Sequence, residues 1–161
     1  MSIYEEVLKN LREACLRLYK DRMVSLVVFG SVGRGFPKPD SDIDILIVAE
    51  DLPDGRIARV REFGEIEDGL SQDLDEAAQS GVRAELSPVF KSPAEVKRGS
   101  PLFLDMVHDG RILYDRDKFI ENAFASLEAR LNMLGAKRVW KGDAWYWDLK
   151  PDYQPGEVFE I

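Results

Sequence analysis

Apolar positions along the chain fall into two rhythms, one of three to four residues and one of two. From about residue 3 to 20, Ile3, Val7, Leu8, Leu11, Cys15 and Leu18 predict an amphipathic helix, with Lys and Arg gathering toward its end as the helix dipole favours. Met23 to Phe29 is a short, β-branched apolar run closed by Gly30, which predicts a buried strand. Asp42-Ile43-Asp44-Ile45-Leu46-Ile47-Val48 predicts a second strand. After a turn at Leu52-Pro53-Asp54-Gly55, helical spacing runs from Ile57 through Val60, Phe63, Ile66, Leu70, Leu74 and Ala77. That stretch is one long helix or two short ones, with Gly64 and Gly69 as the candidate breaks. An alternating strand over 82–90 puts Arg83, Glu85 and Ser87 on one face. Ser92-Pro93-Ala94-Glu95 starts a helix, joining a serine cap to a proline at the first helical position and a glutamate at the third. Residues 101–109 predict a short helix, 111–114 a last strand, and 117–134 a closing helix stopped by Gly135. The order predicts an α+β fold: a mixed sheet of about four strands, helices mainly on one side and a polar site on the other face.

The chemistry sits where the first two strands end and begin. Gly30 lets the backbone turn sharply and lets a phosphate approach, and the following N–H groups with the Ser31 hydroxyl are donors for anionic oxygens. Ser31 is read as a phosphate ligand, not a nucleophile. After ten intervening residues, Asp42 and Asp44 share one face of the second strand while Ile43 and Ile45 take the other. Two carboxylates so close repel unless a cation lies between them, and magnesium suits, because it accepts one or two carboxylates plus substrate phosphates. Gly30 to Gly35 has P-loop glycine spacing, but Phe36-Pro37 stands where that loop needs Lys and Ser or Thr. The glycine order is also wrong for a dinucleotide fingerprint.

The run from Gly30-Ser31 through the spacer to Asp42-Ile43-Asp44, with Ser41 before the first aspartate, resembles the DNA polymerase beta-like nucleotidyltransferase superfamily. More closely it is similar to the small stand-alone minimal nucleotidyltransferases of archaea and bacteria, strongly over residues 23–49 and weakly to about 115. The resemblance implies a palm-like nucleotidyltransferase fold and transfer of a nucleoside monophosphate from a nucleoside triphosphate, ATP, to a hydroxyl acceptor with release of pyrophosphate. It implies two Mg2+ ions held by Asp42 and Asp44, with a third carboxylate on a neighbouring strand to complete the metal site and help take a proton. Glu85 is the candidate, where members of the family more often carry Asp. Gly30, Ser31, Arg34 and Ser41 are the nucleotide-binding candidates. Small proteins of this type also resemble antitoxins that accompany helical toxins, some of which modify a toxin tyrosine with AMP. A protein partner therefore stands beside catalysis as an alternative, as does a nucleotide-binding module without turnover.

Composition narrows this further. A length of 161 residues suits one domain with an appendage. Thirty acidic against 22 basic residues give a net charge of −8, which argues against a broad duplex nucleic-acid surface. No apolar run approaches a membrane span and no leader pattern is visible, so a cytoplasmic protein is expected. Cys15 is the only cysteine and His108 the only histidine, which leaves no thiolate or histidine metal site.

The domain is expected to occupy residues 1–136, and 137–161 to form an aromatic-rich tail. All three tryptophans, Trp140, Trp145 and Trp147, fall there. So much aromatic area predicts an ordered strap against the core or a second subunit, with at least two indoles largely buried, which leaves a homo-oligomer open.

Overall fold

The computed structural model describes residues 2–161. The chain begins with α1 (Ile3–Tyr19), whose Ser2 cap accepts from the Glu5 N–H, and enters β1 (Met23–Phe29), buried along its whole length. A single helical turn, α2 (Gly30–Gly33), follows β1, and β2 (Ile43–Ala49) runs back antiparallel to it. Helix α3 (Arg56–Gln79) crosses to β3 (Leu86–Lys91), parallel to β2. Then come α4 (Pro93–Arg98), a short 3-10 turn over Pro101–Asp105, β4 (Arg111–Asp115) antiparallel to β1, and α5 (Phe119–Leu134). The four strands form one mixed sheet, as the pattern predicts, and their order is β3-β2-β1-β4.

Most of the helical length covers one face. Leu26, Val28, Ile43, Ile45 and Ile47 pack there against Val7, Leu11 and Cys15 of α1 and Phe63, Ile66 and Leu70 of α3. On the opposite face Val27, Leu46 and Val48 meet Val96 of α4, Phe103 and Met106, and Ile120, Phe124 and Leu127 of α5. Burial of these side chains is the main stabilising contribution, at about 25 cal/mol per Å2 of apolar surface removed from water. Among the described residues, no helix is long and apolar enough to cross a membrane.

Local signals are realised closely. Ser92 and Glu95 form a full capping box at α4, and Gly135 takes the left-handed conformation (φ 69°) that ends α5. Helix α3 runs unbroken through Gly64 and Gly69, because Phe63, Ile66, Leu70 and Ala77 bury one stripe and outweigh two weak helix formers. Helix α5 starts two residues later than the pattern suggests. Asp115 caps it from the end of β4, its carboxylate accepting from the Ile120 and Glu121 N–H groups (2.9 and 3.0 Å) and from the buried Ser25 hydroxyl (2.7 Å).

Two elements differ from expectation. The third strand starts at Leu86, not 82, because the Val82 N–H turns back to the Ala77 carbonyl (2.9 Å) and the Arg83 N–H goes to the Pro39 carbonyl (2.7 Å). Glu85 thus stands at the strand's entrance instead of in its middle. The aromatic segment is a β-hairpin, β5 (Lys137–Lys141) paired with β6 (Ala144–Asp148). Trp140 is half exposed, whereas Trp145 and Trp147 are partly covered.

Candidate active site

The polar end of the sheet is built where β1 stops, β2 starts and β4 is about to begin. Gly30 has φ 66°, a left-handed conformation that favours glycine, and a Cβ on it would overlap the Asp44 carboxylate. The same glycine therefore makes the turn out of β1 and admits the side chain of its neighbour on β2. Gly33 is also fixed by packing, since a Cβ there would come within 2.7 Å of the Val28 carbonyl oxygen and 2.9 Å of the Asp109 carbonyl oxygen.

Asp44 lies on β2 between Phe29 of β1 and Ser87 of β3 in register. It is half-buried, and burial, aided by the negative charge of Asp42, raises its carboxyl above the ordinary value, while Ser87 and the Arg34 charge pull the other way. Asp42 is exposed one residue before β2. Strand alternation carries both aspartates toward the face opposite α1 and α3.

The other candidates take different positions. The Glu85 carbonyl accepts from the Ile43 N–H at 2.8 Å, one step before the pairing of Ile43 with Leu86, so Glu85 stands level with Asp42 and is exposed. Ser87, not Glu85, lies across from Asp44. Among the described residues, no group of three His, Cys, Asp or Glu side chains is arranged to hold a metal ion. Ser41 works on its own loop: its hydroxyl accepts from the Lys38 N–H (2.8 Å) and its N–H donates to the Lys38 carbonyl (3.0 Å). The Tyr4 hydroxyl, donating to the same carbonyl at 2.7 Å, pins this loop to α1. Ser31 lies half-buried in α2, its carbonyl accepting from the Phe36 N–H at 3.1 Å.

A cavity of about 440 Å3 opens here, lined by Phe29, Gly30, Arg34, Asp44, Asp105, Asp143, Ala144 and Trp145. Asp105 and the hairpin residues have no counterpart among the site residues expected from the sequence. Nor does Asp109, which accepts from Arg138 at 2.7 Å and lies 3.9 Å from Arg34. One signal for Asp109 is topological. Once β4 runs antiparallel to β1, with Arg111 opposite Val28, the residues before Arg111 must meet those after Phe29.

The donor set fits a hard divalent cation shared with a substrate. Two carboxylates from alternate residues share a face, and Asp44 is disfavoured as an anion by burial first and by Asp42 second, so a cation would relieve the repulsion between them. Ligand positions beyond these two would fall to phosphate oxygens or water.

Comparison with known proteins gives this geometry a family. Residues 8–101 match the nucleotidyltransferase domain model. A relative from Methanocaldococcus jannaschii, named as a putative protein adenylyltransferase, is 30% identical over 118 residues, 72% of this chain and 75% of its own. A second, shorter match from the same organism and with the same description is 31% identical over 48 residues, 30% of this chain and 48% of that protein. A solved toxin–antitoxin structure with AMP-PNP overlays with a TM-score of 0.46 at 19% identity, covering 77% of this chain and 92% of that one. The chain belongs to the nucleotidyltransferase family, enzymes that pass a nucleoside monophosphate to an acceptor and that generally use divalent metal ions.

Proposed function

We propose that this nucleotidyltransferase binds ATP at the Asp44 cavity and transfers AMP to a hydroxyl of a protein partner. The observation that carries the reading is the convergence of Asp42 and Asp44 on one face, with Asp44 set against the side-chain-free Cα of Gly30. The relative described as a protein adenylyltransferase supports a protein acceptor, and the net charge of −8 suits a basic one.

In this reading Gly30 and Ser31 hold the β- and γ-phosphates by main-chain and hydroxyl donors, and Arg34 adds a planar, permanently charged fork that matches phosphate oxygens. Asp42 and Asp44 would hold the catalytic cations. Two magnesium ions, when bound, would lower the pKa of the acceptor hydroxyl and neutralise the leaving pyrophosphate. The acceptor oxygen attacks the α-phosphorus, the bond from that phosphorus to the oxygen bridging the β-phosphate breaks, and pyrophosphate departs with its electrons. Glu85, exposed beside Asp42 at the solvent edge, is suited to receive the acceptor's proton. Alignment of the two reacting groups is the larger part of the catalytic effect.

Calorimetry with ATP and magnesium tests the site. Wild type should bind, and the Asp42→Asn/Asp44→Asn variant should not. Absence of binding by wild type, or equal binding by the variant, overturns the reading. Incubation with labelled ATP and a candidate partner then tests the acceptor, because only an enzyme acting on that partner transfers label to it.

A further inference from the structure

The β5–β6 hairpin lies outside the residues that match the family model, and the chemistry above gives it no work. Yet Asp143, Ala144 and Trp145 line the same cavity as Gly30 and Asp44. Several contacts hold the hairpin there. On β5, Arg138 donates to the Asp109 carboxylate at 2.7 Å, and its guanidinium carbon lies 4.8 Å from the Trp140 ring centroid and 5.2 Å from that of Trp145. On β6, Trp147 stacks on His108 with centroids 5.5 Å apart and planes 16° apart. From the core side, Arg34 lies over Trp145 at 4.6 Å and within 3.9 Å of the same Asp109 oxygen that Arg138 uses.

Arg34 is thus shared between the cavity and the hairpin. One carboxylate, Asp109, faces two guanidinium groups and lies closer to Arg138 (2.7 Å) than to Arg34 (3.9 Å), so Arg34 is the less fully paired of the two. The other ionisable groups on the wall, Asp44, Asp105 and Asp143, are all acidic. An entering triphosphate therefore finds its cationic partner among the groups tied to the hairpin. An arginine free in a loop loses considerable rotamer freedom when it grips a ligand; one stacked on an indole and steered by a carboxylate has lost much of it beforehand.

We propose that the β5–β6 hairpin is a lid of the nucleotide pocket, and that Trp145, Asp109 and Arg138 are positioning residues that hold Arg34 ready for the triphosphate. This rests on the ATP-site reading above. Phosphate-chain length is then the discriminating variable. AMP lacks the β- and γ-phosphates that Arg34 is held for and should be nearly indifferent to the lid.

The test uses the full chain, with AMP-PNP plus magnesium and AMP as separate probes. In an Arg138→Met variant, AMP-PNP affinity should fall about tenfold while AMP affinity stays within about twofold, and Arg138→Lys should recover part of the loss. A Trp145→Leu variant should show the same split and serves if Arg138→Met fails to fold. With Trp140 and Trp147 replaced by Phe, Trp145 is the remaining indole, and AMP-PNP but not AMP should change its emission as Arg34 turns to the phosphates. Wild-type AMP-PNP affinity in a folded Arg138→Met variant, or equal losses for both probes, overturns the lid. If wild type binds AMP-PNP, Asp42→Asn/Asp44→Asn does not, and Arg138→Met binds like wild type, the ATP site stands and the lid alone falls. If wild type binds no AMP-PNP, both fall.

Discussion

Ile43, Ile45 and Ile47 leave β2 on one side and are fully buried among α1 and α3, while Asp44 leaves the same end of the strand toward Arg34 and the hairpin. The first side is closed by apolar contacts over a broad area. The second is closed at its polar end by shared charges and stacked rings: Asp109 between two arginines, Arg34 over Trp145, and Trp147 on His108. Apolar burial is non-directional and accumulates with area, so damage to the first side should appear as lost stability. Charge and stacking depend on geometry and bring little net free energy at a partly exposed site, so damage to the second should appear in nucleotide binding.

The largest expected effect lies on the apolar side. Phe63 is fully buried and meets Phe90 edge-on, with centroids 5.7 Å apart. Phe63→Ala should lower unfolding stability by about 3–5 kcal/mol in a denaturant titration. Nucleotide affinity, measured below the transition, should stay within about twofold of wild type. A large loss of affinity in the folded variant would break the division between the two sides.

Gly30→Ala is the mirror image. The residue must hold φ 66°, and its new methyl group meets the far end of a side chain, the Asp44 carboxylate, which can swing away. The stability cost should be about 1–2 kcal/mol, mostly for the left-handed backbone. Calorimetry with ATP and magnesium should find binding lost altogether, because the carboxylate is displaced from the face it shares with Asp42. Retained affinity would show that Asp44's position is not set by this glycine.

How much of this was legible in the sequence follows the range of the interaction. β1, β2, the capping box of α4 and the Gly135 stop of α5 depend on neighbours in the chain and were readable. The start of β3 depends on hydrogen bonds from Val82 to Ala77 and from Arg83 to Pro39, the second joining residues separated by all of β2 and α3, which no strand pattern reveals. Glu85 was therefore read as a mid-strand neighbour of the aspartates, although Ser87 holds the place beside Asp44. Asp105 and Asp109 reach the site through chain pairing distant in sequence. The hairpin did have a local signal. Gly142-Asp143, with Gly142 at φ 68°, is a two-residue turn of the kind that joins paired strands.

A smaller effect is expected where the two helical layers meet at the β3 edge. Arg59 of α3 donates to both carboxylate oxygens of Glu95 of α4 (2.8 and 3.1 Å) and to the carbonyls of Pro53 and Phe90. The Arg59 hydrogen bonds hold the Glu95 carboxyl down to about 2, with a further contribution from the Ser92 N–H. A carboxyl lowered by folding stabilises the protein above its unfolded-state value of 4.5 and loses that contribution as the pH falls toward 2. Glu95→Gln should cost about 1–2 kcal/mol at neutral pH, from cap and ion pair together. The gap in Tm between wild type and variant should be constant above pH 5 and close between roughly pH 4.5 and 2. A gap that persists at pH 2 would assign the loss to packing.

The opposite edge of the sheet supplies the weakest test and the sharpest control. Arg111 of β4 reaches Glu5 of α1, with its second guanidinium nitrogen donating at 2.7 Å, so this pair also ties a helix to an edge strand. Its geometry is as good as that of Arg59 with Glu95, and its hydrogen bonds likewise lower the Glu5 carboxyl. The difference is solvent: both side chains are more than 40% exposed, and neither takes part in a capping box. Water screens the attraction and competes for the donors, while ordering two long side chains costs entropy. Glu5→Gln should therefore change stability by no more than about 0.5 kcal/mol at low salt and by less at 1 M salt. A double-mutant cycle with Arg111→Met measures the coupling directly. A coupling near 2 kcal/mol would mean that charge contributes to holding the fold even where water reaches it, and that the contrast between the two faces of β2 is one of degree.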